Sequence, residues 1–200
     1  MALAQEKKLS YTYGDMLDWD TDIRYELYDG FPVALASPSD VHQEIVFELG
    51  GQLRDYLKDK PCKAYPAPFD VRLFERKGDT PDDVDTVVQP DLMVVCDKSK
   101  VDRRGVHGAP DLIIEVLSPS SERYDRFNKL NLYQKAGVRE YWIVNPESRS
   151  VQTFVLEDGH YTFPAYVEGG GELAVTIFPD CVIDLSAVFP SQEETEEENA

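Results

Sequence analysis

Glu115 stands inside the run Leu112-Ile113-Ile114-Glu115-Val116-Leu117, in which every neighbour is apolar. Such a run reads as a strand buried on both faces. An ionised carboxylate there is expensive unless something pairs with it or coordinates it. Counting by twos puts Asp111, Ile113, Glu115 and Leu117 on one face; in the apolar run before it, Asp91, Met93 and Val95 share a face and Leu92 and Val94 the other. If the two strands pair, Asp91 and Glu115 meet on one side of a sheet. Two carboxylates within about 4–6 Å raise each other's pKa and favour a divalent cation between them. Hard oxygen ligands point to Mg²⁺ or Mn²⁺ rather than zinc. The plainer alternative is that each acid ends a strand in water, and for Asp91, beside Pro90, spacing alone does not choose.

Chemistry on such a pair also needs a cation. Lys129 lies on the segment that leaves the Glu115 strand, but Asp125 is four residues before it, so an exposed intrahelical ion pair competes with a site role. Asp70, alternating with Phe69 and Val71, is a candidate third acid. His42 shares a helix face with Val46, Leu49 and Leu53, where a satisfied, sheet-facing histidine is the plainer reading. Glu26 and Glu44 are weaker candidates. Lys98, Lys100, Arg103 and Arg104 before the Glu115 strand, and Arg123, Arg126, Lys129, Lys135 and Arg139 after it, would place positive charge around the acids. Singly, each reads equally well as a solvated surface residue.

The elements that must position these residues follow from pattern. Thr12 caps a short helix over Tyr13–Trp19, with Met16, Leu17 and Trp19 as its apolar side. Asp29-Gly30 joins Tyr25–Tyr28 and Phe31–Ala36 as a hairpin. Ile45, Leu49, Leu53 and Leu57 recur every fourth residue and predict an amphipathic helix from Val41 to about Lys58. Strands are expected at Cys62–Tyr65, Phe69–Phe74, from Val87 through Asp91 and onward, and over the Glu115 run. A helix is expected from Tyr124 to Ala136 with Phe127, Leu130 and Tyr133 inward and Gly137 as its stop. The strand Arg139–Val144 follows, then a β-meander from Ser150 to about Asp184. This order predicts an α/β domain with a central mixed sheet and helices against it.

Composition bounds the rest. The 200 residues carry 38 acidic and 20 basic side chains, a net charge of −18. A surface this acidic repels phosphate backbones at long range and argues against a tight non-specific nucleic-acid binder. Residues 1–10 read as a frayed leader, 11–190 as a single domain and 191–200, rich in Glu, as a disordered tail. The three cysteines, Cys62, Cys96 and Cys181, are widely spaced, which argues for a reducing compartment and against a disulfide framework or zinc site. With no signal-peptide pattern and no membrane-length apolar run, a cytoplasmic protein is expected.

The ordered set YELYDG, HQEIV, PAPFDVRL, QPDLMVV, PDLIIEVLSPS and DRFNKLNLYQKAGVREYWIVNP, spanning residues 10 to 165, resembles the bacterial Uma-type family of restriction endonucleases within the PD-(D/E)XK nuclease superfamily. The resemblance implies a restriction-endonuclease-like fold and a Mg²⁺- or Mn²⁺-dependent endonuclease acting on DNA. Asp91 and Glu115 would hold the metal together with the main-chain carbonyl of Val116. The superfamily's lysine two residues past the acid is absent, since Leu117 stands there; the resemblance moves that role to Lys129 on the following helix. Superfamily analogy also implies a homodimer. The competing reading is a catalytically idle relative that binds DNA or a protein partner through the same fold.

Overall fold

The computed structural model describes residues 9–118, 128–162 and 165–189. The expected leader and acidic tail therefore fall almost wholly outside the described residues, as do Arg123, Tyr124, Asp125, Arg126 and Phe127.

Helix α1 (Tyr13–Leu17) is closed by a capping box between Thr12 and Asp15. Tyr13 rather than Leu17 is its buried residue, and Leu17 is half exposed. Strands β1 (Tyr25–Tyr28) and β2 (Phe31–Ala34) form the hairpin expected from Asp29-Gly30, both of which have positive φ (48° and 81°). Helix α2 (Asp40–Tyr56) starts at Ser39, whose side chain accepts a hydrogen bond from the His42 N–H. It buries Ile45, Leu49 and Leu53, as the four-residue spacing requires.

The chain continues through β3 (Lys63–Pro66), β4 (Val71–Arg72), β5 (Val87–Val88), β6 (Leu92–Val95), β7 (Val101–Asp102), β8 (Gly105–His107) and β9 (Leu112–Val116). Helix α3 (Leu130–Ala136) ends at Gly137 in the left-handed region (φ 90°). After it come β10 (Glu140–Asn145), β11 (Ser150–Glu157), β12 (His160–Tyr161), β13 (Ala165–Glu168), β14 (Glu172–Ala174), β15 (Val182–Asp184) and α4 (Leu185–Val188).

Two mixed sheets result. One has the order β2-β1-β5-β4-β8-β7; the other runs β12-β11-β10-β9-β6-β3, with β13 also on β11. The run from Val87 to Val95 was expected as one strand but is two, β5 in the first sheet and β6 in the second. Pro90 explains the break, because it has no N–H to give a ladder. The segment carrying Arg103 and Arg104 folds as the β7–β8 hairpin over Val101–His107, and β8 pairs with β4 in parallel. There Arg72 is buried, its guanidinium bonded to Asp102 and Glu75.

The second sheet separates two apolar layers. Leu92, Val94, Leu112, Ile114, Val116, Trp142 and Val144 face α2 and α4. Met93, Val95, Ile113, Leu117, Tyr141 and Ile143 face α3 and residues of the first sheet. Cys62 and Cys96 are joined by a disulfide, which corrects the expectation of unpaired cysteines. Antiparallel pairing of Lys63 with Val95 carries the next residues outward, Cys62 and Cys96, to opposite positions on neighbouring strands. Separation along the chain had hidden their proximity.

Candidate active site

Strand register brings the two acids together. Leu92 pairs with Ile114 in the antiparallel β6–β9 ladder, so Asp91 and Glu115 occupy the next opposing positions. The Val116 N–H donates to Asp91 Oδ2 at 2.8 Å, tying Asp91 to the residue beside Glu115. Both acids line a cleft of about 950 Å³ together with Glu26, His42, Gln89, Val116 and Lys129. The α2 start and the segment after β2 form one wall, and Asn145–Glu147 another.

Glu115 is only 2 % exposed. Its Oε1 accepts from Lys129 Nζ at 2.8 Å and from the Tyr133 hydroxyl at 2.6 Å. The local reason is α3, which carries Tyr133 one turn after Lys129 on the face turned to β9. Lys129, 5 % exposed, is not the exposed helical ion pair of the plainer reading. A second buried acid flanks it: Glu26 Oε1 lies 3.5 Å from Nζ. Burial alone would strip Lys129 of its proton, but the charges of Glu115 and Glu26 outweigh that and hold the ammonium well above its ordinary range. Burial, reinforced by the charge of Glu115, likewise keeps the Tyr133 phenol protonated.

His42 approaches Asp91 Oδ2 through Nε2 at 3.1 Å. Among the described residues, its other ring nitrogen, Nδ1, is buried without a hydrogen-bond partner. His42 is therefore a cleft residue rather than the satisfied core histidine of the plainer reading. Asp70 sits one step back: it accepts from the Tyr13 hydroxyl and from Gln89 Nε2, both at 2.8 Å, and is not among the cleft-lining residues. Glu44 is on the exposed side of α2.

Among the described residues the expected basic surround does not form around the cleft. Of its described members only Lys129 lines it. Lys100 donates to the Ala109 carbonyl, Arg139 pairs with Asp111, and Lys135 lies over the Phe74 ring. Sequence pattern also missed Tyr133 and Gln89 as site residues, and weighed Glu26 low. Tyr133 reads as an apolar position of α3; its hydroxyl only gains meaning once β9 is opposite it.

Among the described residues no three His, Cys, Asp or Glu side chains converge as a metal-binding group. The donor set is two carboxylates, with Asp91 Oδ1 taking no hydrogen bond among the described residues, plus the Val116 main chain. That set suits Mg²⁺, which is commonly held by one or two carboxylates and completes its shell with water and phosphate oxygens. It does not suit zinc.

A family model described as "Putative restriction endonuclease", Uma2, matches residues 13–186. A Synechocystis protein, "Uncharacterized protein slr1290", is 27 % identical over 149 residues, covering 72 % of this chain and 73 % of its own. The crystal structure of a "putative nuclease belonging to DUF820" from Anabaena variabilis superposes with a TM-score of 0.70 at 17 % identity, covering 89 % of this chain and 97 % of that one. The superposition shows a shared fold, and at that level of identity it shows the fold alone.

Proposed function

This chain belongs to the Uma2 family of restriction-endonuclease-like proteins, and on that premise we propose that its cleft is the active centre of a metal-dependent endonuclease hydrolysing DNA phosphodiester bonds. The observation that carries the reading is the buried Glu115, held beside Asp91 and bonded to Lys129 at 2.8 Å. Glu26, Glu115 and Lys129 are each at most 5 % exposed and together present two carboxylates to one ammonium. A core arranged for stability alone would not gather them.

In this reading Asp91, Glu115 and the Val116 carbonyl would hold Mg²⁺ or Mn²⁺, which when bound would supply Lewis acidity for activating water and offsetting charge on the scissile phosphate. Lys129, kept charged by its two carboxylates, acts as a fixed cation: it orients the attacking water and stabilises negative charge developing on the phosphoryl oxygens. His42 fixes the Asp91 carboxylate through Nε2. Because the cleft wall is itself acidic, a phosphate backbone enters it favourably only when the ion is present.

The test is direct. Millimolar Mn²⁺ or Mg²⁺ should raise the melting temperature of the wild-type protein, as ligand linkage requires, and Glu115→Ala should abolish the response. Nicking of plasmid DNA should depend on the ion and disappear in Lys129→Ala. No thermal response to either ion sinks the metal reading. An ion response without cleavage supports the second reading, an idle nuclease fold that binds DNA or a protein; the net charge of −18 favours it, as does a cleft lined among the described residues by only two Lys or Arg side chains, Arg24 and Lys129. A cytoplasmic location is proposed from the DNA substrate alone, because the Cys62–Cys96 bond removes the support from cysteine usage. Among the described residues no helix is long and apolar enough to cross a membrane. A single nuclease domain over residues 11–190 and a homodimer are proposed by family analogy.

A further inference from the structure

Glu26 is 1 % exposed, on a strand of the other sheet, and nothing in the two-acid centre explains why a carboxylate is buried there. Its partners do. Oε1 accepts from the Gln89 N–H at 2.8 Å and lies 3.5 Å from Lys129 Nζ, while Oε2 accepts from the Tyr28 hydroxyl at 2.5 Å. Both oxygens are thus occupied by protein donors, which disfavours Glu26 as a third metal ligand. We propose that Glu26 is a positioning residue of this site: it holds the Lys129 ammonium between two carboxylates, so that Glu115 is not claimed by the lysine alone. The inference rests on the nuclease reading of the cleft and adds a residue to it.

The physical need is one of competition. An ammonium 2.8 Å from Glu115 neutralises the charge that a metal ion must also use. A second anion 3.5 Å from Nζ draws on the lysine as well and keeps it in place when Glu115 turns to an ion. The same carboxylate oxygen also grips the main chain at Gln89, two residues before Asp91. Glu26 therefore links the lysine and the strand entry that carries the first acid. Loss of a residue that orients the groups around a metal site typically costs about 10- to 100-fold in activity or metal affinity.

The experiment compares wild type, Glu26→Gln and Glu26→Asp in the full chain. One arm is mass-spectrometric acylation of each lysine by an amine-reactive acetyl ester in metal-free buffer; the other is Mn²⁺-dependent plasmid nicking. Lys129 labelling should rise several-fold in Glu26→Gln while the other lysines stay at wild-type levels. Glu26→Asp should fall between, because its charge remains but retreats by one methylene. The nicking kcat of Glu26→Gln should drop by about 10- to 100-fold with KM for DNA little changed. Unchanged Lys129 labelling overturns the proposal, and so does a uniform rise at all lysines, which marks a merely structural role. If Glu26→Gln does not fold, Glu26→Asp decides alone: raised Lys129 labelling supports the proposal and wild-type labelling overturns it. Absence of nicking in the wild type defeats the nuclease reading, while the labelling arm still decides whether Glu26 holds Lys129.

Discussion

Glu115 is satisfied by two donors that arrive from the same helix, Lys129 and Tyr133. Tyr133→Phe removes the 2.6 Å phenol bond without changing the ring's packing against Tyr141. A hydrogen bond to a charged group is worth about 1.5–3 kcal/mol, so urea unfolding should show a loss of that size; a loss near zero would mean that the acid is satisfied without the phenol. The pH dependence has a definite sign. Lys129, held by Glu115 and Glu26 against the cost of its burial, and Tyr133, raised by burial and by Glu115, both bind their protons more tightly folded than unfolded. Their contribution is therefore complete below the unfolded-state pKa values, near 10, and is lost as pH rises through the folded values. Stability should fall on the alkaline side, and Lys129→Met should make that fall shallower. Identical alkaline profiles for the two proteins count against the buried pair.

Helix α2 delivers His42 to the cleft, and its start depends on the Ser39 side chain accepting the His42 N–H at 3.2 Å. Ser39→Ala should cost about 1 kcal/mol, within the usual range for a lost N-cap. It should also disturb the His42–Asp91 contact, readable as a weakened Mn²⁺ thermal shift. A stability loss with an unchanged ion response would separate helix capping from the site. Elements with strong local signals, such as the Asp29-Gly30 hairpin, the four-residue spacing of α2 and the Gly137 stop, were legible because their causes lie within a few residues. The β7–β8 hairpin was not. At two or three residues each its strands carry no period, and only the folded molecule shows Asp102 bonded to the buried Arg72 of β4, which lies within the expected strand Phe69–Phe74.

The described residues form two large sheets that meet around the cleft and a separate β14–β15 pair, with the β3–β6 pair tied by Cys62–Cys96. These cysteines are 34 residues apart, a loop for which cross-linking stabilises by about 3–4 kcal/mol in the chain-entropy account. Reduction, or the Cys62→Ala/Cys96→Ala pair, should lower the unfolding free energy by up to that amount in a denaturant titration. No change on reduction would show that the thiols are not bonded in solution. The buried Cys181 should stay unreactive in the folded state, since burial raises its thiol to about 11.

The sequence by itself determined the chemistry available: an acid where an apolar strand should have none, a second acid in matching alternation, and the helices and hairpin whose periodicity is local. Tertiary structure decided which charges face one another. That Lys129 turns inward to Glu115, that Glu26 reaches it from the other sheet, and that Asp70 stands back behind Gln89 depend on strand register and on the docking of α3. Register is set by the summed packing of both faces of a sheet. No short stretch of chain contains that sum, so the buried ion cluster became visible only in the folded molecule.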